Sequence, residues 1–188
     1  MKITYVTGNW AKIKSARQIL EPLGFEVDNI KMDTPELQDD SIENVAKYSA
    51  KWSSDELKCD VLKNDSGLCI DALKGAPGIH SARYAETPQA RIDRVLSEMQ
   101  AKENRSARFQ CCMTLLNPKG EIAFSHTGIC EGSIIESQRG VNGFGYDPIF
   151  LLKNSNKTMA ELSEQDKNKV SHRFKALREV LNYLANIS

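Results

Sequence analysis

The sequence predicts an α/β fold with a mixed central sheet and flanking helices, and two patterns carry that expectation. In the first half, short apolar runs of strand length alternate with stretches whose apolar residues recur every three or four positions, as strand–helix–strand units do. In the second half, Arg105–Leu116 and Glu121–Ile135 read as two long strands. They are joined by Asn117-Pro118-Lys119-Gly120, a hairpin signal that adds antiparallel pairing. The 188 residues suffice for one domain, residues 1–188, with a core of its own.

In chain order, Ile3–Val6 is a short buried strand, and Gly8 allows a turn into a helix marked by Ile13, Ala16, Ile19, Leu20 and Leu23. Asn9 is placed to cap that helix. Pro22-Leu23-Gly24 closes it, and Phe25–Lys31 alternates as a second strand. Met32–Asp40 is an acidic loop. Ser41 then caps a helix to about Leu57, with Ile42, Val45, Ala46, Ala50 and Trp52 as apolar candidates. A third strand starts at Asp60–Leu62 and ends at Lys63-Asn64-Asp65-Ser66-Gly67, and Leu68–Leu73 is a separate short strand. The breakers Gly75, Pro77 and Gly78 make Lys74–Ser81 a loop. Thr87-Pro88 opens a helix carrying Ile92, Val95, Leu96 and Met99. After the hairpin, Arg139–Asp147 is Gly-rich, Pro148–Leu152 is a last strand, and the chain is helical from about Glu164. Val170, Phe174, Leu177, Leu181 and Leu184 lie on one face of that last helix.

Formal net charge is zero, with 40% hydrophobic and 27% charged residues. That excludes a broad electrostatic nucleic-acid footprint, though not a small basic pocket. No apolar run approaches the length of a membrane span. Met1-Lys2 leads straight into the first strand. The five cysteines, Cys59, Cys69, Cys111, Cys112 and Cys130, are odd in number and lack C-x-x-C spacing. Reduced thiols and a cytoplasmic setting are therefore expected. Neighbouring Cys111 and Cys112 should point to opposite faces of a strand.

Four places could carry chemistry. The first is Val6–Lys14, a strand, a Gly turn and a helix N-terminus. Its first-turn N–H groups and Lys12 could hold an anion, or it is an ordinary capped turn with a surface lysine. The second is Glu43, in the first turn of the Ser41 helix, with Asp65 at a strand end. Two carboxylates suffice for magnesium bound together with substrate phosphates; otherwise Glu43 serves the helix dipole and Asp65 an Asx-turn. The third is Gly143-Phe144-Gly145-Tyr146-Asp147, where Phe144 could stack on a base or pack inward. The fourth is Lys167-Asn168-Lys169-Val170-Ser171-His172-Arg173. Basic residues opening a helix run against its dipole and call for an anion, unless they form a solvated face.

Together these segments resemble the inosine triphosphate pyrophosphatases, the Ham1-like family. The matching residues are Thr7-Gly8-Asn9-Trp10-Ala11-Lys12, Ile42-Glu43-Asn44, Asp65-Ser66-Gly67-Leu68, Gly75-Ala76-Pro77-Gly78 with Ser81-Ala82-Arg83-Tyr84, Gly143–Phe150, and Ser171-His172-Arg173. They occur in the family's order and spacing across almost the whole chain. The resemblance implies two lobes around a cleft, a homodimer, and magnesium-dependent hydrolysis of ITP, dITP and XTP to monophosphate and pyrophosphate. It implies neither nucleic-acid nor membrane partners. By motif position, Thr7, Asn9 and Lys12 resemble triphosphate ligands, with Gly8, Trp10 and Ala11 completing that segment. Glu43 and Asp65 resemble the metal carboxylates, with Asp65 also the general base. Ser66 resembles a further substrate contact, Phe144 the stacking ring, and Gly145, Tyr146 and Asp147 its wall. Lys167, His172 and Arg173 resemble contacts to base and phosphate.

Two departures stand out. Asn64 occupies a place where relatives often have a second Asp, removing one negative charge, although its carbonyl could still coordinate a metal. Val45 follows Glu43-Asn44 where Ala is frequent, and the family's downstream lysine is shifted to Lys47 or Lys51. A nucleotide sensor without catalysis and a pyrophosphatase for modified pyrimidines remain alternatives, separable by magnesium-dependent pyrophosphate release from ITP.

Overall fold

Helix α1 (Trp10–Leu20) follows strand β1 (Lys2–Val6) and is capped by Asn9, whose side-chain oxygen accepts from the N–H groups of Ala11 and Lys12. Gly24 ends the following turn at φ 86°, a left-handed conformation suited to glycine. Strand β2 (Glu26–Ile30) comes next, then α2 (Ile42–Leu57), capped by Ser41, and β3 (Val61–Ile70). Strand β4 (Pro77–Gly78), α3 (Pro88–Glu98) capped by Thr87, and the hairpin β5 (Ser106–Leu116) and β6 (Ile122–Ile134) continue the chain. Strand β7 (Phe150–Leu152), α4 (Glu164–Val170) and α5 (His172–Ile187) complete it. The coordinates are a computed structural model describing residues 2–35 and 37–187. Within the expected Met32–Asp40 loop, Glu36 lies outside the described residues.

The sheet is mixed, in the order β2-β1-β3-β5-β6-β7 with β4 on β3. Strand β1 is parallel to β2 and β3, whereas β3–β4 and β6–β7 are antiparallel. The chain divides into two compact units, each discontinuous in sequence. Unit 1 is Met1–Asp65, Cys111–Gly128 and Arg173–Ser188; unit 2 is Ser66–Gln110 and Ile129–His172. Unit 1 packs Ile3, Tyr5, Ala16, Leu20, Leu62, Met113, Leu177 and Leu184 into one core. Unit 2 packs Leu68, Ile70, Val95, Met99, Phe109, Ile134 and Phe150 into another.

Several expectations are corrected. Lys63–Gly67 and Leu68–Leu73 are not two strands: β3 runs unbroken through Asp65, Ser66 and Gly67, and Asp71–Leu73 is a 3-10 turn. Asp65 therefore sits inside a strand, not at its end. Gly67 does not break the ladder because it faces a close backbone neighbour. An added Cβ would overlap the carbonyl of Gly78, the residue that β3 pairs through Leu68. The Lys74–Ser81 loop accordingly contains β4. The last helix is two helices, separated by an extended Ser171 (φ −66°, ψ 147°). Val170 packs with the core of unit 2, while Leu177, Leu181 and Leu184 pack in unit 1, so they share no single face. Leu23 is 57% exposed. Trp52 is only half-buried; the buried face of α2 uses Ser49, Ser53 and Ser54 instead. Among these, Ser49 and Ser53 bond backbone oxygens of the preceding turn and Ser54 bonds the Asn117 carbonyl. Pro148 and Ile149 belong to a 3-10 turn before β7.

Candidate functional site

Unit 1 holds the glycine turn, Glu43, Asp65 and Arg173. The Asn9 cap corrects one expectation: the N–H groups of Ala11 and Lys12 are already bonded to Asn9 Oδ1, at 3.0 and 3.3 Å. Thr7 Oγ1 accepts the N–H of Asn9 at 3.1 Å, which shapes the turn. Two of the first-turn N–H groups are thus taken by the cap, and the turn adds the Thr7, Asn9 and Lys12 side chains. Gly8 is not among the glycines at positive φ, so its role is spatial; a Cβ there would press on the Lys31 methylenes at 3.1 Å. Trp10 and Ala11 are exposed on the first turn.

Lys12 is half-buried. Burial holds its ammonium below the ordinary lysine range; Arg173 lowers it further, and Cys111 and Asp65 oppose the shift. Lys63 is buried, and burial pushes it down to about 8, with Lys12 also lowering it and Asp65 opposing. Lys12, Lys63, Asp65 and Arg173 thus share one electrostatic neighbourhood in unit 1. Sequence reasoning passed over Lys63. Strand alternation with Asp65, two residues on, is the signal that would have found it.

The same alternation settles Asn64. Its Oδ1 accepts from the Tyr5 hydroxyl at 2.7 Å and its Nδ2 donates to Cys111 Sγ at 3.3 Å, on the core face with Leu62. Burial pushes the Cys111 thiol up to about 11, so it stays protonated. The expected metal coordination by the Asn64 carbonyl is therefore corrected: that oxygen is occupied in the core. Cys112 lies near Thr114 and Ser125 instead, the opposite-face arrangement expected of adjacent strand residues. Glu43 is exposed in the first turn of α2 and pairs with Lys47 at 2.5 Å.

Unit 2 holds the remaining candidates. Phe144 is 55% exposed, so its ring is not a core ring. The turn around it is built by Asp147, whose Oδ2 accepts the Phe144 N–H at 3.2 Å and pairs with Lys167 at 2.8 Å. Gly143 (φ 91°) lies against that pair; a Cβ would overlap both Asp147 Oδ2 and Lys167 Nζ. Gly145 is also left-handed, at φ 60°. Tyr146 is buried and donates its hydroxyl proton to the Ser81 carbonyl at 2.9 Å. Ser81 Oγ in turn accepts from the Leu68 N–H beside Gly67 and donates to the Gly78 carbonyl. Ser66 is half-buried at the start of this unit. His172 is buried and stacks on Phe109, with ring centroids 5.0 Å apart. The basic cluster does not open one helix, as expected. Lys167 and Lys169 lie in the last turn of α4, where the helix dipole favours cations, and His172 and Arg173 begin α5.

The structure thus brings Lys12, Asp65 and Arg173 together in unit 1, and Phe144, Asp147 and Lys167 together in unit 2. Among the described residues, no group of three or more His, Cys, Asp or Glu side chains forms a metal cluster.

The family model described as the Ham1 family matches residues 3–183. A dITP/XTP pyrophosphatase of Thermococcus kodakarensis is 40% identical over 184 residues, covering 98% of this chain and 97% of that protein. One from Bacillus subtilis is 42% identical over 187 residues, covering 95% and 94%. Among solved structures, a HAM1 protein from Coxiella burnetii superposes with a TM-score of 0.91 at 32% identity, covering 99% of each chain. The Staphylococcus aureus Ham1 protein gives 0.91 and 32% over 100% of each. On the family match, the near-complete coverage and the shared fold, this chain belongs to the Ham1 family.

Proposed function

We propose that this chain is a nucleoside triphosphate pyrophosphatase that hydrolyses dITP and XTP, together with ITP, to the monophosphate and pyrophosphate. The single observation that carries this reading at the residue level is the Lys12–Lys63–Asp65–Arg173 neighbourhood, one carboxylate set among cations. The names of the relatives, dITP/XTP pyrophosphatase, supply the substrate class.

In this reading residues 1–188 act as one catalytic domain. Thr7, Asn9, Lys12 and Arg173 hold the triphosphate, with Gly8, Trp10 and Ala11 shaping the turn and Ser66 adding a contact. Phe144 stacks on the purine; Gly145, Tyr146 and Asp147 form its wall, and Lys167 and His172 address the base. The donor set for a metal is the oxygens of Glu43 and Asp65, hard ligands that suit magnesium when substrate phosphates complete the shell. Glu43 would exchange its exposed partner Lys47 for the ion. Bound there, magnesium would neutralise phosphate charge and acidify a water. Asp65 accepts a proton from the attacking water. The water oxygen bonds to the α-phosphorus, the α–β anhydride bond breaks, and pyrophosphate leaves with the bond electrons. Lys12 and Arg173 offset the charge that moves onto it. The working form is a homodimer in the cytoplasm, acting on the free nucleotide pool.

The test is a panel of dITP, XTP, ITP, ATP, dATP and pyrimidine triphosphates with pyrophosphate release as the readout. Deaminated purines should exceed ATP and dATP by roughly tenfold or more, because a donor facing adenine's amino group leaves a buried polar group unmatched. Asp65→Asn should nearly abolish turnover while leaving nucleotide binding. Equal rates with ATP and ITP, or an active Asp65→Asn, refute the reading.

A further inference from the structure

We propose that Lys63 is a further substrate-binding residue, a cation that takes polyphosphate oxygens beside Lys12 in unit 1. This rests on the reading that unit 1 receives the triphosphate. Three observations support it. The pleat of β3 turns Leu62 and Asn64 to the core, and so turns Lys63 to the side of Asp65. The Lys63 side chain is 8% exposed. Its ammonium donates only to hydroxyls, Thr34 Oγ1 at 3.2 Å and Ser53 Oγ at 3.5 Å, with no carboxylate bonded to it among the described residues.

A buried ammonium is expensive without an opposing charge, and two neutral hydroxyls supply dipoles only. Its charged neighbours are attractive Asp65 and repulsive Lys12, and Lys12 is in turn repelled by Arg173. Among the described residues, Lys63 and Lys12 thus repel one another beside the attractive carboxylate of Asp65. A polyanion offsets that repulsion, and phosphate oxygens can replace the Thr34 and Ser53 hydroxyls without uncovering a new unpaired charge. A purely structural lysine, tying the loop at Thr34 to α2 at Ser53, would need no positive charge in this position.

The experiment titrates inorganic tripolyphosphate into the full-length chain without divalent metal, for wild type, Lys63→Met and Lys63→Arg. Steady-state constants for dITP and melting temperatures are measured on the same preparations. Losing one charge-assisted contact predicts roughly tenfold or more weaker tripolyphosphate binding by Lys63→Met. KM for dITP should rise more than kcat falls. The melting temperature should hold or increase, since a buried charge is removed. Lys63→Arg should recover most of the binding. Lys63→Met binding tripolyphosphate as tightly as wild type overturns the proposal. So does a loss of binding that Lys63→Arg fails to rescue and that parallels a lowered melting temperature, which is the signature of a strut. If wild type hydrolyses dITP while all three proteins bind tripolyphosphate equally, only the role of Lys63 falls. If wild type leaves dITP and XTP intact but the titrations differ as expected, Lys63 stands and the enzymatic reading falls.

Discussion

Asn64→Asp separates the core role of this residue from a metal role most sharply. The substitution is nearly isosteric, so packing changes little. It deletes the Nδ2 donor to Cys111 Sγ and places a carboxylate in a site 8% exposed. The Tyr5 hydroxyl can still donate, at the present 2.7 Å. An unsatisfied buried polar group costs about 1–3 kcal/mol, and a charge costs more. For a chain of this size each kcal/mol lowers the melting temperature by about 2–4 °C, so a fall of about 2–12 °C is expected near neutral pH. The pH dependence fixes the sign. Burial raises the folded-state pKa of the new carboxyl above its unfolded value of about 3.9. The folded state then binds its proton more tightly, so the penalty is absent below the unfolded value and grows as pH rises through the folded one. Melting curves of both proteins from pH 4 to about 8 measure that divergence. Turnover against magnesium concentration, on the same samples, should show an unchanged half-saturating concentration. A variant that melts like wild type at neutral pH but saturates at lower magnesium would place residue 64 at the metal and refute the argument.

Three further outcomes are expected. Phe144→Ala should raise KM by roughly 5- to 150-fold, the equivalent of about 1–3 kcal/mol of stacking, with little change in melting because the ring is 55% exposed; unchanged KM would remove the ring from the base site. Gly143→Ala should cost about 1–3 kcal/mol, since it forces a side chain into a left-handed residue and against the Asp147–Lys167 pair. Calorimetric melting checks it, and a wild-type midpoint with wild-type KM would show that the pair tolerates displacement. Lys12→Ala should weaken nucleotide binding by roughly tenfold or more while melting changes little, because removing Lys12 also relieves repulsion with Arg173; near-wild-type KM and kcat would exclude Lys12 from the site.

Local chemistry made much of this chain legible from sequence. Asn9, Ser41 and Thr87 cap the helices they were expected to cap, because a cap bonds N–H groups two or three residues away. The hairpin at Asn117–Gly120 and the left-handed Gly24 are equally local. Phe144 is exposed between two left-handed glycines, one of the two outcomes that the Gly-rich spacing left open. The clustering of motifs identified the family before any coordinates.

What the tertiary structure decided are questions of phase and partnership. The residues of β3 alternate in any register, but which set faces the core is set by β1, which pairs Thr4 with Val61 and Tyr5 with Leu62. That pairing carries Asn64 to Tyr5 and Cys111 and leaves Lys63 and Asp65 on the other side. The continuity of β3 through Ser66-Gly67 likewise depends on β4 approaching a glycine from 11 residues later in the chain, as Leu68 pairs with Gly78 and Cys69 with Pro77. The break at Ser171 has no Gly or Pro to announce it; Val170 packs in the core of unit 2 and Leu177 in that of unit 1. Sequence determines which groups are available and the local turns that present them. Long-range strand pairing determines which way each group points, and for Asn64 and Lys63 that direction separates a core residue from a candidate ligand.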